Sequence, residues 1–164
     1  MKTVLLPHSL AELWRFWEDD PDARLYAGGT DLLVKMRSGL IQPKTLICLE
    51  RLEELTGVSE KGHFIRIGSC TTLARLLENP AVQKHLPLLA QAVAILGSPL
   101  IRNMGTIGGN ICTASPAGDT LPPLYSLDAE LELSRKDGVR RLAIKDFLVG
   151  PGQTRLGQGE LVKA

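Results

Sequence analysis

The sequence lacks the features that mark several large classes of protein. Its 19 Lys and Arg residues nearly balance its 18 Asp and Glu residues, and the two signs are interspersed rather than gathered into a basic stripe. Electrostatic binding of nucleic acid is therefore not expected. No apolar run approaches the ~18 residues needed to cross a bilayer, and the N-terminus lacks the apolar centre of a signal peptide. We expect no membrane association and a cytoplasmic location.

Cysteine and histidine are also scarce. Cys48, Cys70 and Cys112 are far apart in the sequence, form no CxxC pair and have no histidine at metal-ligand spacing, so no metal centre is predicted. The histidines are isolated, and neither a Ser-His-Asp set nor a pair of carboxylates is recognisable. We therefore name no catalytic residue.

Glycine, by contrast, is concentrated in two segments. The longer one is NMGTIGGNICTASPAGDTLP, at residues 103–122. Glycines let main-chain N–H groups approach a phosphate or a flavin ring closely and tolerate the positive φ of tight turns. The polar side chains of Asn110, Thr113 and Asp119 add hydrogen-bonding groups. The segment predicts a loop that wraps a nucleotide cofactor.

The shorter segment is LYAGGTDLLV, at residues 25–34. It predicts a short strand, a turn at Gly28 and Gly29, and a helix capped by Thr30 or Asp31. A helix start of this kind offers free N–H groups and the positive end of its dipole to an anion. Either Gly-Gly pair alone most often marks only a turn, so the prediction of a ligand depends on both segments.

Together, and in this order, the two segments resemble the FAD-binding subunit of the molybdenum hydroxylases. This group contains xanthine dehydrogenases, aerobic carbon monoxide dehydrogenases and 4-hydroxybenzoyl-CoA reductases. The resemblance is carried by AGGTDLL at residues 27–33 and IRNMGTIGGNICTASPAGDTLP at residues 101–122, with weaker similarity at 7–10, 67–73 and 147–151. It implies an α+β fold, a PCMH or vanillyl-alcohol-oxidase-type FAD-binding domain of two α+β lobes with the flavin between them.

The resemblance also implies which residues bind FAD. The first segment would line the pyrophosphate, the start of the second would lie against the isoalloxazine face, and three polar residues would complete the contacts. These residues are Ala27, Gly28, Gly29, Thr30, Asp31 and Leu32, then Thr106, Ile107, Gly108 and Gly109, and finally Asn110, Thr113 and Asp119. Helix capping is the alternative for Thr30, Asp31 and Asp119, and a core position for Ile107. Because neither segment contains histidine, we expect FAD to be bound non-covalently.

The function implied by the resemblance is electron transfer within a molybdenum-containing hydroxylase or dehydrogenase. The chain would pass electrons from an iron–sulfur subunit to an external acceptor. The iron–sulfur clusters and the molybdenum cofactor would lie on partner subunits, because this chain has no cysteine set for a cluster. Two other hypotheses stay open. One is a truncated structural module without a cofactor, and the other is a stand-alone flavin reductase of the UDP-N-acetylenolpyruvylglucosamine reductase type.

Hydrophobic periodicity predicts two lobes and a tail. Residues 1–54 are expected to form an N-terminal β–α–β lobe, residues 55–149 a lobe of helices and antiparallel sheet, and residues 150–164 a linker-like tail toward an absent C-terminal domain. Helices are predicted at 9–19, 31–37, 72–78, 81–96 and 121–127, and strands at 23–27, 45–49, 55–59, 63–68, 129–135 and 139–144. We expect this chain alone to fold, to bind FAD weakly or not at all, and to self-associate.

Overall fold

Residues 2–164, described by a computed structural model, form an α+β fold of short helices and small sheets. The first sheet is parallel and consists of β1 (Thr3–Leu5), β2 (Arg24–Tyr26) and β3 (Thr45–Cys48), with β3 in the centre. Helix α1 (Leu10–Asp19) connects β1 to β2, and α2 (Leu32–Arg37) connects β2 to β3. The predicted β–α–β arrangement of β2, α2 and β3 is present. The additional strand β1 has only three residues, too few for its periodicity to be recognised.

Helix α1 begins where the sequence predicts. The Ser9 hydroxyl accepts a hydrogen bond from the Glu12 amide at 3.2 Å, and the Glu12 carboxylate accepts one from the His8 amide at 2.9 Å. The first bond satisfies a main-chain donor that a helix start leaves free, and the second resembles a capping box with its donor shifted to the residue before the N-cap. The apolar face of α1 then buries Leu13 in a cluster that includes Ile47 of β3.

The rest of the chain forms short helices, two hairpins and a second three-stranded sheet. The helices are α3 (Leu73–Glu78), α4 (Pro80–His85), α5 (Pro87–Ile95), α6 (Pro99–Met104), α7 (Ile107–Thr113), α8 (Leu121–Ser126) and α9 (Ile144–Phe147). The strands are β4 (Val58–Lys61), β5 (Phe64–Ile67), β6 (Glu130–Arg135), β7 (Gly138–Ala143), β8 (Leu148–Gly150), β9 (Gln153–Thr154) and β10 (Leu161–Val162). The predicted β4–β5 and β6–β7 hairpins are both present.

The helix predicted at 81–96 and the loop predicted at 103–122 differ from the structure. Residues 81–96 belong to two helices, α4 and α5, because Pro87 has no N–H with which to continue α4; Pro80 and Pro87 stand in the first turns of these helices, as their positions predict. The segment 103–122 is not a loop, since α7 occupies its centre. Thr106 caps α7 by accepting a bond from the Gly109 amide at 3.1 Å, and the helix buries Ile107 and Ile111. This burial outweighs the low helix propensity of the glycines.

The last residues also differ from the expected linker-like tail. Leu161 and Val162 are buried, and β10 pairs antiparallel with β6. Ahead of them, the Glu160 carboxylate is fully buried and binds the Arg140 guanidinium with both oxygens at 2.7 Å. The Gly157 amide donates to the same carboxylate at 2.9 Å. The segment therefore packs onto the β6–β7 sheet.

Buried apolar side chains form two clusters. One is built around β3 and α1, and it also includes Cys70 and Leu161. The other is built from α3, α5, α7 and the β6–β7 sheet, and it includes Ile107 and Phe147. The two glycine segments adjoin different clusters: Leu25 and Ala27 pack against the first, and Ile107 and Ile111 belong to the second.

Candidate functional site

The two glycine segments, distant in sequence, are in direct contact. Gly28 packs so closely against the main chain of α6 that an added Cβ would overlap the Met104 carbonyl oxygen. The Thr30 hydroxyl lies 3.7 Å from the position that a Cβ on Gly105 would take. We call this contact region, between residues 28–32 and residues 104–110, the glycine junction. Its close main-chain approach requires glycine at position 28.

Residues 28–32 present a row of main-chain donors at the junction. Gly29 has φ +68°, a conformation that favours glycine and turns the chain into α2. Within residues 2–164, the N–H groups of residues 28–32 have no acceptor. Successive free N–H groups at such a turn form a concave surface that suits an anion.

Capping does not account for Asp31. The residue occupies the N-cap position of α2, but its side chain makes no capping hydrogen bond. Its carboxylate instead forms an ion pair with Lys35, 2.7 Å from Nζ and one helical turn along. Since neither the Thr30 nor the Asp31 side chain caps α2, the amides of residues 30–32 stay available to a ligand, whereas the Leu33 amide donates to the Gly29 carbonyl at 3.0 Å.

Helix α7 has one buried and one accessible face. Ile107, Gly108 and Ile111 are buried, and Ile107, at 4% exposure, belongs to the core cluster. Ile107 therefore occupies a core position, which is the alternative given for it in the sequence analysis. Gly109, Asn110 and Thr113 lie on the accessible face, because residues three and four apart share one side of a helix.

Residues 69–73 fix the start of α7, and the sequence singled them out only as part of a weaker similarity. The Ser69 carbonyl accepts from the Gly108 amide at 2.8 Å, and the Thr71 carbonyl accepts from the Ile107 amide at 3.1 Å. A Cβ on Gly108 would lie only 2.5 Å from the Ser69 Cβ. The sequence signal for this support is the Ser69-Cys70-Thr71 run directly after the predicted strand at 63–68, with Gly108 as its small counterpart.

The remaining predicted polar residues differ in their surroundings. The Thr113 hydroxyl donates to the Gly109 carbonyl at 3.0 Å, and the Asn110 carbonyl oxygen Oδ1 accepts from the buried Thr120 hydroxyl. Asp119 is exposed, and it does not cap α8, whose N-cap is Thr120. Because Gly109 has no side chain, the accessible face of α7 is open to a flat ligand at this position.

The phenol and the thiols near the junction stay protonated at neutral pH. Burial raises the pKa of Tyr26, directly before the first segment, to about 12. Burial also raises the pKa of the Cys70 thiol to about 11 and that of the Cys112 thiol to about 12, although Cys112 is partly exposed as a residue. These groups supply neither a thiolate nor a general base near pH 7.

Residues 2–164 contain no group of three or more His, Cys, Asp or Glu side chains placed to hold a metal ion. None of the helices described above is long and apolar enough to cross a membrane.

The junction fits two parts of a flavin nucleotide, the pyrophosphate and the flat ring system. A pyrophosphate needs hydrogen-bond donors, and residues 28–32 offer free main-chain N–H groups. A flat ring system needs an accessible surface without a protruding side chain, and Gly109 on α7 provides it, because a Cβ there would meet only the Thr106 hydroxyl within 4 Å. Fold and site thus define the class of a flavin-nucleotide-binding domain.

The comparison with known families identifies the family. Residues 1–164 match the family described as the FAD binding domain in molybdopterin dehydrogenase. The chain therefore belongs to this family, and the resemblance inferred from the two glycine segments is confirmed.

Curated relatives agree with this assignment. The chain is 38% identical over 158 residues to the putative xanthine dehydrogenase FAD-binding subunit XdhB of Escherichia coli K12, covering 95% of this chain and 54% of that protein. It is 35% identical over 156 residues to the nicotine 6-hydroxylase medium subunit of Paenarthrobacter nicotinovorans, covering 95% of this chain and 55% of that protein. The chain thus spans about half the length of the curated relatives it matches.

Solved structures confirm the predicted α+β fold. Quinoline 2-oxidoreductase from Pseudomonas putida 86 superposes with a TM-score of 0.95 and 31% identity over 99% of this chain and 57% of that chain. Carbon monoxide dehydrogenase from Hydrogenophaga pseudoflava superposes with a TM-score of 0.94 and 34% identity, with the same coverage of both chains.

Proposed function

We propose that this chain is the FAD-binding part of an electron-transfer subunit in a molybdenum-containing hydroxylase or dehydrogenase. The observation that carries the proposal is the glycine junction, where free main-chain donors and an accessible helix face meet. FAD is a redox carrier that accepts and releases electrons, so the protein has only to bind, orient and tune it. This division agrees with a junction whose nearby thiols and phenol stay protonated.

The contacts of the predicted residues support the following roles. The N–H groups of residues 28–32 bind the pyrophosphate, and Gly28 brings them against α6. Thr106 and residues 69–73 hold the first turn of α7, so that Gly109 faces the flavin. Asn110, Thr113 and Asp119 bind polar atoms of the ribityl chain or the ring. Ile107 and Gly108 contribute through packing rather than direct side-chain contact.

The partners proposed for this chain are an iron–sulfur subunit and a molybdenum-cofactor subunit. The proposal is supported by relatives described as medium subunits or medium chains, such as that of the Hydrogenophaga pseudoflava carbon monoxide dehydrogenase, 37% identical over 141 residues. Electrons would enter from the iron–sulfur subunit and leave to an external acceptor. A cytoplasmic location remains a prediction from the sequence.

The test is the flavin content and electron transfer of the protein isolated with its partner subunits. We expect one FAD per chain, released by acid or heat without proteolysis, because no histidine lies at the junction. Anaerobic reduction by substrate followed by a panel of acceptors should then identify the electron route. Colourless protein would favour the structural module, flavin that stays attached to peptide would contradict non-covalent binding, and turnover by this chain alone would favour the stand-alone reductase.

A further inference from the structure

Asn110 is oriented by a buried hydroxyl from another helix. Thr120, at the start of α8, is 0% exposed, and its Oγ1 donates to Oδ1 of Asn110 across ten residues of chain. This is the hydrogen bond that the structure gives the Thr120 hydroxyl. The side chain makes no capping bond to α8, so helix capping does not account for the threonine.

The bond determines which atoms of the Asn110 amide can contact a ligand. A side-chain amide has one oxygen acceptor and two N–H donors. Because Oδ1 is engaged by Thr120, the donors on Nδ2 are the groups presented at the accessible face of α7. Within residues 2–164 these donors have no acceptor of their own. Asn110 is thus prepared to donate to an oxygen atom of a ligand.

We propose that Thr120 is a positioning residue, which fixes the Asn110 amide so that Nδ2 donates to an oxygen acceptor of the bound flavin nucleotide. The inference rests on the proposed function, since it assigns this face of α7 to that ligand. Without the Thr120 hydroxyl, the Asn110 amide is free to rotate. It then contributes less to the binding free energy, because the amide has to be ordered when the ligand binds.

The test is a set of variants with matched controls, made in the complex with its partner subunits. Thr120→Val removes the hydroxyl at almost constant volume and should weaken FAD binding about threefold to tenfold, the worth of one hydrogen bond. Thr120→Ser keeps the hydroxyl and should restore the affinity. Ser126→Ala is the control, because it removes an exposed hydroxyl on the same helix that donates to the Pro122 carbonyl at 3.0 Å.

A double-mutant cycle separates positioning from general packing. In the Asn110→Ala background, Thr120→Val should cause no further loss of FAD affinity, because the group that it orients is absent. An equal loss in both backgrounds would overturn the proposal, as would wild-type affinity of the Thr120→Val protein. Absence of FAD from the wild-type complex would instead contradict the proposed function itself.

A second measurement does not depend on bound FAD. In NMR spectra of the wild-type chain, the buried Thr120 hydroxyl proton should exchange slowly and show a nuclear Overhauser effect to the Asn110 side chain. The Asn110 side-chain amide signals should move in Thr120→Val and return in Thr120→Ser. A rapidly exchanging hydroxyl without this contact would overturn the inference.

Discussion

At the scale of single residues, two neighbouring glycines of α7 have opposite surroundings. Gly108 faces Ser69 on the buried side, whereas Gly109 is exposed and borders only the Thr106 hydroxyl. A glycine is therefore needed for the fold at one position and for the ligand at the other. Sequence inspection alone treats the pair as equivalent.

The pair supports a prediction with its own control. Gly109→Val should leave a folded chain, with at most about 1 kcal/mol lost at the Thr106 cap, and should abolish FAD binding because the side chain occupies the ligand space. Gly108→Ala should instead destabilise the fold, since the new Cβ would lie 2.5 Å from the Ser69 Cβ. Thermal melts and FAD titrations of both variants check this. Unchanged FAD affinity in Gly109→Val would show that residues 106–109 are purely structural.

At the scale of elements, the Glu160 carboxylate joins the start of β10 to β7 through its ion pair with Arg140. Hydrogen bonds from Arg140, together with the Gly157 amide, lower the pKa of Glu160 to about 2 against the cost of burial. A carboxyl group whose pKa falls on folding stabilises the native state at pH values above its unfolded pKa of ~4.3. That contribution is lost as the pH falls toward about 2, where the folded carboxyl is protonated.

The pH dependence of a Glu160→Gln variant checks this contribution. The substitution should destabilise the chain by about 2 kcal/mol at pH 7, because charge-assisted hydrogen bonds to Arg140 become neutral ones. The difference from wild type should shrink between pH 4.5 and pH 2. Urea unfolding at several pH values measures it, and Glu130→Gln, at an exposed ion pair with Arg141, serves as the control. A difference that is independent of pH would contradict the role of the charge.

The elements also show what the sequence could and could not predict. The α1 cap, the strand–turn–helix around Gly28 and both hairpins follow from local patterns, and the family resemblance rests on residues 27–33 and 101–122. The helix in α7 was missed because its glycines favour a loop locally, while the burial of Ile107 and Ile111 is a property of tertiary packing. The contact of Gly28 with Met104 and the Thr120–Asn110 bond join distant residues, so a single sequence gives no signal for either.

At the scale of the whole molecule, helix α2 begins and helix α6 ends at the junction, and neither contains a buried residue. Both carry apolar side chains, with Val34 64% and Leu100 77% exposed. Exposed apolar surface of this kind favours association. We expect the isolated chain to self-associate at micromolar concentration and to bind FAD more weakly than the assembled protein does.

Sedimentation velocity of the chain tests this expectation. The sedimentation coefficient should rise with concentration, and a Val34→Lys, Leu100→Lys double variant should remain monomeric at concentrations where the wild type does not. The Val139→Lys variant is a control, since Val139 is equally apolar and 53% exposed, but lies on β7. A wild-type chain that stays monomeric throughout would show that the α2 and α6 surfaces do not self-associate.

The central claim is that both glycine segments bind one FAD at the junction, and a structure of the FAD-bound protein tests it most directly. We predict pyrophosphate oxygens about 2.7–3.2 Å from main-chain nitrogens of residues 28–32. The same molecule should contact Gly109 and accept a hydrogen bond from Asn110 Nδ2. FAD bound elsewhere on the chain, or a pyrophosphate held away from residues 28–32, would contradict the account.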